Sequence, residues 1–431
     1  MDISADTIVI VPARSVRGEL RLPGDKSISH RYAMLAAIAD GVTLLENFST
    51  GADCASTLGC VQALGRKVTK NNGKVEIVGG GTQLRAPQHA LDCGNSGSTI
   101  RMLAGILAAQ SFESELIGDE SLSRRPMARI IQPLSKMGAR ISASAGDRPP
   151  LRISGAPLRG IEYQLPVASA QVKTSILFAG LLSEGETRVT EPLHTRDHGE
   201  QALRAFGAEL RTDRLTSIIA GGQTLRGIEA RIPGDISTAA FFLCAAALLP
   251  GSDLVLDGLL LNPTRTAILD VLSTMGARVS VLRVEEKHRE LSGTLRIERG
   301  SLRGRKISGA VSASLIDELP VLAAIAPYTE QGIEIRDARE LRVKESDRIE
   351  IVATNLRALG AKVETFEDGM QIPGGQTLSG GEVDSVGDHR IAMAFAVAGL
   401  AAKGETKIMG ANAARISFPE FFTASKSVVE R

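Results

Sequence analysis

Between Ser29 and Ala39 the apolar residues Met34, Leu35 and Ile38 recur at helical spacing, and Gly41 follows as a stop. Just ahead runs Leu22-Pro23-Gly24-Asp25-Lys26-Ser27-Ile28-Ser29-His30-Arg31, which reads as a strand end, a tight glycine turn and a first helical turn. The first amides of a helix have no intrahelical partners, and the helix dipole is positive there. Lys26 and Arg31 add charge of the same sign, so this stretch suits a phosphate or a carboxylate.

The same alternation returns along the chain. Five times a helix ends in Gly-Ala or Gly-Arg and passes into a strand, at Gly65, Gly138, Gly207, Gly276 and Gly360. Glycine at that point predicts a left-handed helix C-cap. The spacing of roughly 70 to 85 residues is too long for a solenoid and suits small α/β units. Each such strand is followed by a second one closing on glycine, such as Val75–Gly80, and then by a short strand leading into an apolar helix. Those helices open at Gly94–Ser98, Val167–Gln171, Pro233–Ser237, Ser312–Asp317 and Val386–Arg390. With Gly24–Ser27 they make six equivalent helix starts.

The last unit stops short at Arg431. The strands Thr7–Val11 and Val16–Leu22 are candidates to complete it. Six units in two groups of three predict a domain of residues 24–233 and another of 1–23 plus 234–431, with a cleft lined by helix N-termini between them.

Composition narrows the chemistry. The net charge is +1, so nothing global favours nucleic acid or a membrane surface, and anion binding must be local. There is no Trp and only 3 Tyr, too few for base-stacking platforms. Cys54, Cys60, Cys93 and Cys244 form no Cys-x-x-Cys pair, so they read as free buried thiols in a reducing cytosol. Met1–Asp6 is acidic and polar, unlike a signal peptide. The longest apolar run, Ala239–Leu249, is too short to span a bilayer. No P-loop, dinucleotide fingerprint or metal-ligand spacing occurs, and His30, His194, His198 and His389 read as structural.

The densest charged loop is Arg342-Val343-Lys344-Glu345-Ser346-Asp347-Arg348. Lys344 and Arg348 are i,i+4, so on a helical turn they share a face, flanked by Glu345 and Asp347. An acid–base group beside two cations suits proton transfer on an anionic substrate. Asp317 and Glu318 stand among Leu315, Ile316, Leu319 and Val321. There a carboxylate is either a helix cap or a base in a partly buried site. Asp388 reads as a cap, while Arg390 in a first turn opposes the dipole and reads as functional.

Taken together, Pro-Gly-Asp-Lys-Ser-x-Ser-His-Arg at 23–31, Gly-Asn-Ser-Gly-Ser at 94–98, Arg-Pro-Met at 125–127, Ser-Ala-Gln-x-Lys at 169–173, Asp-Glu at 317–318, Arg-Val-Lys-Glu-Ser-Asp-Arg at 342–348 and Gly-Asp-His-Arg at 387–390 cover nearly the whole chain. In these motifs it resembles the 5-enolpyruvylshikimate-3-phosphate synthase family. The resemblance implies an α/β fold, a two-domain inside-out α/β barrel of six βαβαββ repeats (the enolpyruvyl transferase fold). It also implies transfer of the enolpyruvyl group of phosphoenolpyruvate to the 5-hydroxyl of shikimate 3-phosphate, on the shikimate pathway to chorismate and aromatic amino acids. A cytoplasmic monomer is expected, with no cofactor and no metal.

Position by position, the resemblance assigns Lys26 to both substrates. Ser27, Arg31, Ser169, Ala170 (through its backbone), Gln171, Arg196, Asp317 and Lys344 fall to shikimate 3-phosphate. Gly97, Arg125, Gln171, Arg348 and Arg390 fall to phosphoenolpyruvate. Asp317 is implied as proton acceptor, and Glu345, helped by Lys344, as proton donor. Two departures stand out. The lysine many members carry before the final Phe-Pro is absent from Ile416-Ser417-Phe418-Pro419, where Arg415 is a candidate replacement. Gly97 stands where the class II subgroup, which this chain otherwise resembles, commonly has alanine. Two alternatives are a UDP-N-acetylglucosamine enolpyruvyl transferase and a non-catalytic anion-binding repeat protein. Against the first, Ser rather than Asn follows Lys26 and residues 112–126 contain no Cys. Against the second stand Asp317 and the Lys344-Glu345 pair.

Overall fold

The structure, a computed structural model, describes residues 6–71 and 73–431. The first five residues, on which the expectation of no signal peptide largely rests, lie outside them. A helix that is apolar on every side has to be covered on every side. Ile236–Leu248 and His389–Leu400 are buried at every position, and Lys26–Ile38 and Ala170–Leu181 from their third residue onward. These helices form the cores, and the sheets lie against them.

The chain divides into two compact units, one of residues 24–232 with Glu286–Glu290, the other of the residues up to Pro23 with Pro233–Glu285 and Leu291–Arg431. In the first unit the helices Lys26–Ile38, Gly97–Leu107 and Ala170–Leu181 supply the core. The last two pack backbone to backbone at Gly105, where a Cβ would lie 2.1 Å from the Ser175 carbonyl oxygen. Around them lie three four-stranded sheets of one design. In one, Glu162–Gln164 runs parallel to Glu186–Thr190, which pairs antiparallel with Thr216–Ala220, and that strand pairs with Leu210–Asp213. The second unit repeats the design around Ile236–Leu248, Leu319–Ile325 and His389–Leu400. All five predicted C-cap glycines have positive φ, between 88° and 116°.

Two strands are exchanged in chain order. Ser15–Arg21 leads into the Lys26 helix but pairs, parallel, with Asp253–Leu260, which follows the Ile236 helix. Glu229–Arg231 leads into the Ile236 helix but pairs, parallel, with Val42–Glu46, which follows the Lys26 helix. Each exchange passes through Pro-Gly-Asp. Gly24 is required there, because a Cβ would lie 1.9 Å from the Asn47 carbonyl oxygen. The two N-terminal strands therefore do not both complete the last repeat. Thr7–Ile10 does, antiparallel to Thr406–Met409, while Ser15–Arg21 belongs to the repeat of the Ile236 helix, two before the last. The Pro-Gly turn ends a strand before its helix begins, so strand and helix are free to serve different repeats.

Three local expectations also change. The first helix starts at Lys26, not Ser29, because the Asp25 carboxylate accepts the Ile28 N–H at 2.9 Å. Lys344 and Arg348 do not share a helical turn. A 3-10 helix, Arg339–Val343, ends before Lys344, and the Arg348–Ala358 helix begins after its own cap, Asp347. The helix expected to open over residues 312–317 is broken into Ala310–Ser314 and Leu319–Ile325, leaving Asp317 on the turn between them.

Candidate functional site

Five of the six core-helix starts are closed by a side chain accepting a first-turn amide: Asp25, Ser96, Ser169, Asp235 and Asp388. The exception is the Leu319 helix, whose N-cap Glu318 makes no such bond.

In the first unit, Lys26 Nζ lies 2.9 Å from Asp53 Oδ2, in the first turn of the Ala52–Ala63 helix. Arg31, one turn on, is buried. It donates through Nε and Nη2 to Thr174 Oγ1 at 3.2 and 3.0 Å and through Nη1 to the Ser27 carbonyl at 2.9 Å. It thereby ties the Lys26 helix to the Ala170 helix. Ser169 caps the latter, accepting the Val172 N–H at 3.4 Å. Gln171 is held at both ends of its amide: Arg101 Nη1 donates to Oε1 at 2.8 Å, and Nε2 donates to Ser98 Oγ at 2.9 Å. The buried Arg125 donates from Nη2 to Asn95 Oδ1 at 3.1 Å and Ser121 Oγ at 3.2 Å. Gly97 lies beside the Arg101 and Arg125 guanidiniums. Arg196 stands half-buried in the loop before the His198–Ala205 helix.

This crowding of cations at helix starts has an electrostatic signature. His30 is held well below the ordinary histidine range by burial and by the charges of Lys26 and Arg31. Its ring is neutral, with Nδ1 2.7 Å from Thr57 Oγ1.

In the second unit Arg348 is the hub. It is 1% exposed and makes a bidentate pair with Asp388, Nε to Oδ2 at 2.8 Å and Nη2 to Oδ1 at 3.2 Å. Nη2 also reaches Glu345 Oε2 at 2.6 Å. Arg390 Nη1 donates to the Asp317 backbone carbonyl at 2.9 Å. The Asp317 carboxylate lies 3.6 Å from both Arg348 Nη1 and Arg390 Nε. Both distances are those of charge–charge attraction and are too long for hydrogen bonds. Asp388 caps its helix as expected, at 2.9 Å from Arg390 N, and anchors Arg348 as well.

Burial works against the Arg348 charge, but Asp388, Glu345 and Asp317 together raise its pKa. Burial would raise the Asp388 carboxyl, but the Arg348 charge outweighs it and the net shift is downward. Lys344 is pushed below the ordinary lysine value by loss of water around its ammonium, against the pull of Asp317 and Glu340. An amine lowered in this way beside Asp317, Glu345 and Arg348 gives up a proton more readily than a solvated lysine.

Sequence reasoning missed Asp53, Arg101 and Thr174. Arg101 had a usable signal, lying one turn after Gly97 on the same helix face. Asp53 and Thr174 had none, because each acts across helices far apart in sequence.

Residues 10–424 match the family described as EPSP synthase (3-phosphoshikimate 1-carboxyvinyltransferase). The chain belongs to the EPSP synthase family. It is 59% identical to the 3-phosphoshikimate 1-carboxyvinyltransferase of Koribacter versatilis, over 99% of this chain and 100% of that protein. It is 54% identical to that of Solibacter usitatus, over 98% and 99%. Among solved structures, EPSP synthase from Acinetobacter baumannii superposes with a TM-score of 0.88 at 41% identity, covering 98% of each chain. The fold is accordingly that of EPSP synthase, as the resemblance implies. The four cysteines are buried and free, and among the described residues no helix is long and apolar enough to cross a membrane.

Proposed function

We propose that the chain transfers the enolpyruvyl group of phosphoenolpyruvate to the 5-hydroxyl of shikimate 3-phosphate, releasing inorganic phosphate. The observation that carries this reading is family membership over almost the whole chain, with cations at the helix starts of both units. Both substrates are multiply anionic, and fixed donors need no reorganisation to hold developing charge.

Lys26, Ser27, Arg31, Ser169, Ala170, Gln171, Arg196, Asp317 and Lys344 hold shikimate 3-phosphate. Lys26, Gly97, Arg125, Gln171, Arg348 and Arg390 hold phosphoenolpyruvate. The 5-hydroxyl attacks C2 of phosphoenolpyruvate while Asp317 accepts its proton. Glu345, assisted by Lys344, protonates the methylene carbon, giving a tetrahedral intermediate. Loss of a methyl proton and of phosphate restores the double bond as an enol ether. The enzyme works as a cytoplasmic monomer without cofactor or metal.

The test is phosphate release from the protein mixed with shikimate 3-phosphate and phosphoenolpyruvate. Folded protein that releases none overturns the reading.

A further inference from the structure

The Asn262-Pro263-Thr264-Arg265 loop and Glu318 take no part in the chemistry above. Both are built into one buried cluster of the second unit. The loop is a tight turn: Asn262 Oδ1 accepts Thr264 N at 2.9 Å, and the Asn262 carbonyl accepts Arg265 N at 2.8 Å. It sends Arg265, 4% exposed, to the start of the Ile236 helix. There Arg265 Nη2 donates to Ser237 Oγ at 2.7 Å and lies 3.9 Å from the capping carboxylate of Asp235. Ser237 Oγ in turn donates to Glu318 Oε1. Ser237 and Glu318 are 4% and 3% exposed.

A buried carboxylate is costly unless compensated, and here the compensation reaches it through one hydroxyl. The Glu318 side chain therefore fastens its own backbone to the start of a different core helix. The neighbouring residue is Asp317, on a turn that belongs to no helix. From the other side Arg390 Nη1 holds the Asp317 carbonyl at 2.9 Å. The Asp317 carboxylate lies 3.6 Å from Arg348 Nη1 and Arg390 Nε.

We infer that Arg265, Ser237 and Glu318 are positioning residues that hold the turn bearing Asp317 where its carboxylate meets the attacking hydroxyl. The inference rests on the reading of Asp317 as proton acceptor. A base displaced by about 1 Å loses on the order of a hundredfold in rate. Ser237→Ala and Glu318→Gln should each lower kcat roughly ten- to a hundredfold while KM for shikimate 3-phosphate stays within about threefold. The solvent deuterium isotope effect on kcat should rise as proton transfer becomes limiting. Arg265→Lys should keep more rate than Arg265→Met.

Urea unfolding of the same samples gives the folded fraction by which each rate is divided, so a variant that is merely unstable is recognised. Asp317→Ala is the companion variant. If it keeps the wild-type kcat, the proton-acceptor reading falls and the inference with it. If Asp317→Ala is inactive but Ser237→Ala and Glu318→Gln turn over at the wild-type rate with the wild-type isotope effect, the inference alone is overturned.

Discussion

Gly97 opens its helix between two guanidiniums, and replacing it by alanine tests how tightly that end is built. The backbone at Gly97 lies outside the left-handed region, so Gly97→Ala imposes no φ penalty. What it meets is the side chains: the added Cβ would stand 2.7 Å from Arg101 Nη1 and 3.2 Å from Arg125 Nη1. Relief to an ordinary contact moves the Arg101 group by about 0.7 Å. Arg101 Nη1 holds Gln171 Oε1 at 2.8 Å, and a displacement of that size takes the bond to the edge of hydrogen-bonding range. A hydrogen bond to a charged group contributes about 1.5–3 kcal/mol. At about 1.4 kcal/mol per factor of ten, kcat/KM for phosphoenolpyruvate should fall roughly ten- to a hundredfold.

Stability should change little, since Gly97 is the first helical residue and the helix-propensity gain from alanine is at most about 1 kcal/mol. The assay is phosphate release against phosphoenolpyruvate concentration at saturating shikimate 3-phosphate, in wild type, Gly97→Ala, Arg101→Ala and the double variant. If the effect runs through Arg101, Gly97→Ala should cost less than about threefold once Arg101 is gone, a clear departure from additivity. Equal costs in both backgrounds, or an unchanged KM in the single variant, would refute the reasoning.

Three further outcomes follow from buried charge. Asp53→Asn removes the carboxylate that fixes Lys26, and its Oδ1 is already buried without a hydrogen-bond partner. Losing one charge-assisted bond of about 1.5–3 kcal/mol should lower kcat/KM for both substrates by about tenfold or more, and wild-type kinetics would dismiss Asp53 as the anchor. Lys173 lies 2.8 Å from Glu191 and 2.7 Å from Glu200, all three buried, and the two carboxylates raise its pKa against the opposing effect of burial. Lys173→Met strands two carboxylates and should cost about 3–5 kcal/mol in urea unfolding, with a loss below about 1 kcal/mol counting against the pair. His30 stays neutral in the folded protein below pH 6.5 while the unfolded chain takes up a proton there, so stability should decline as pH falls below 6.5. His30→Asn should flatten that part of the profile between about pH 6.5 and 5, and an identical slope in wild type and variant would exclude His30 as its source.

Much of the architecture was legible in the chain itself. Glycine at a helix end has a local cause, so the five C-caps at Gly65, Gly138, Gly207, Gly276 and Gly360 counted the repeats before any contact was known. Caps are equally local, which is why Asp388 could be assigned its helix start from three neighbouring residues. Lys26 and Arg31 were visible as cations beside unpaired amides for the same reason. The pattern of apolar positions distinguished core helices from outer ones, because burial on every side demands side chains without charge on every side.

What depended on contacts between distant segments was not legible. The sequence placed Lys344 and Arg348 on one helical turn, but the capping of the Arg348 helix by Asp347 separates them. It left Asp317 as either cap or base, and only the break between two short helices, pinned by Glu318 on one side and Arg390 on the other, puts it on an open turn. The strand Ser15–Arg21 could be recognised but not paired, since register is set by a partner more than two hundred residues away. Local chemistry thus determined where helices begin, where they end and which starts carry cations. Tertiary structure decided which carboxylate faces which cation, because a charge pair depends on distance in space and the chain records only order.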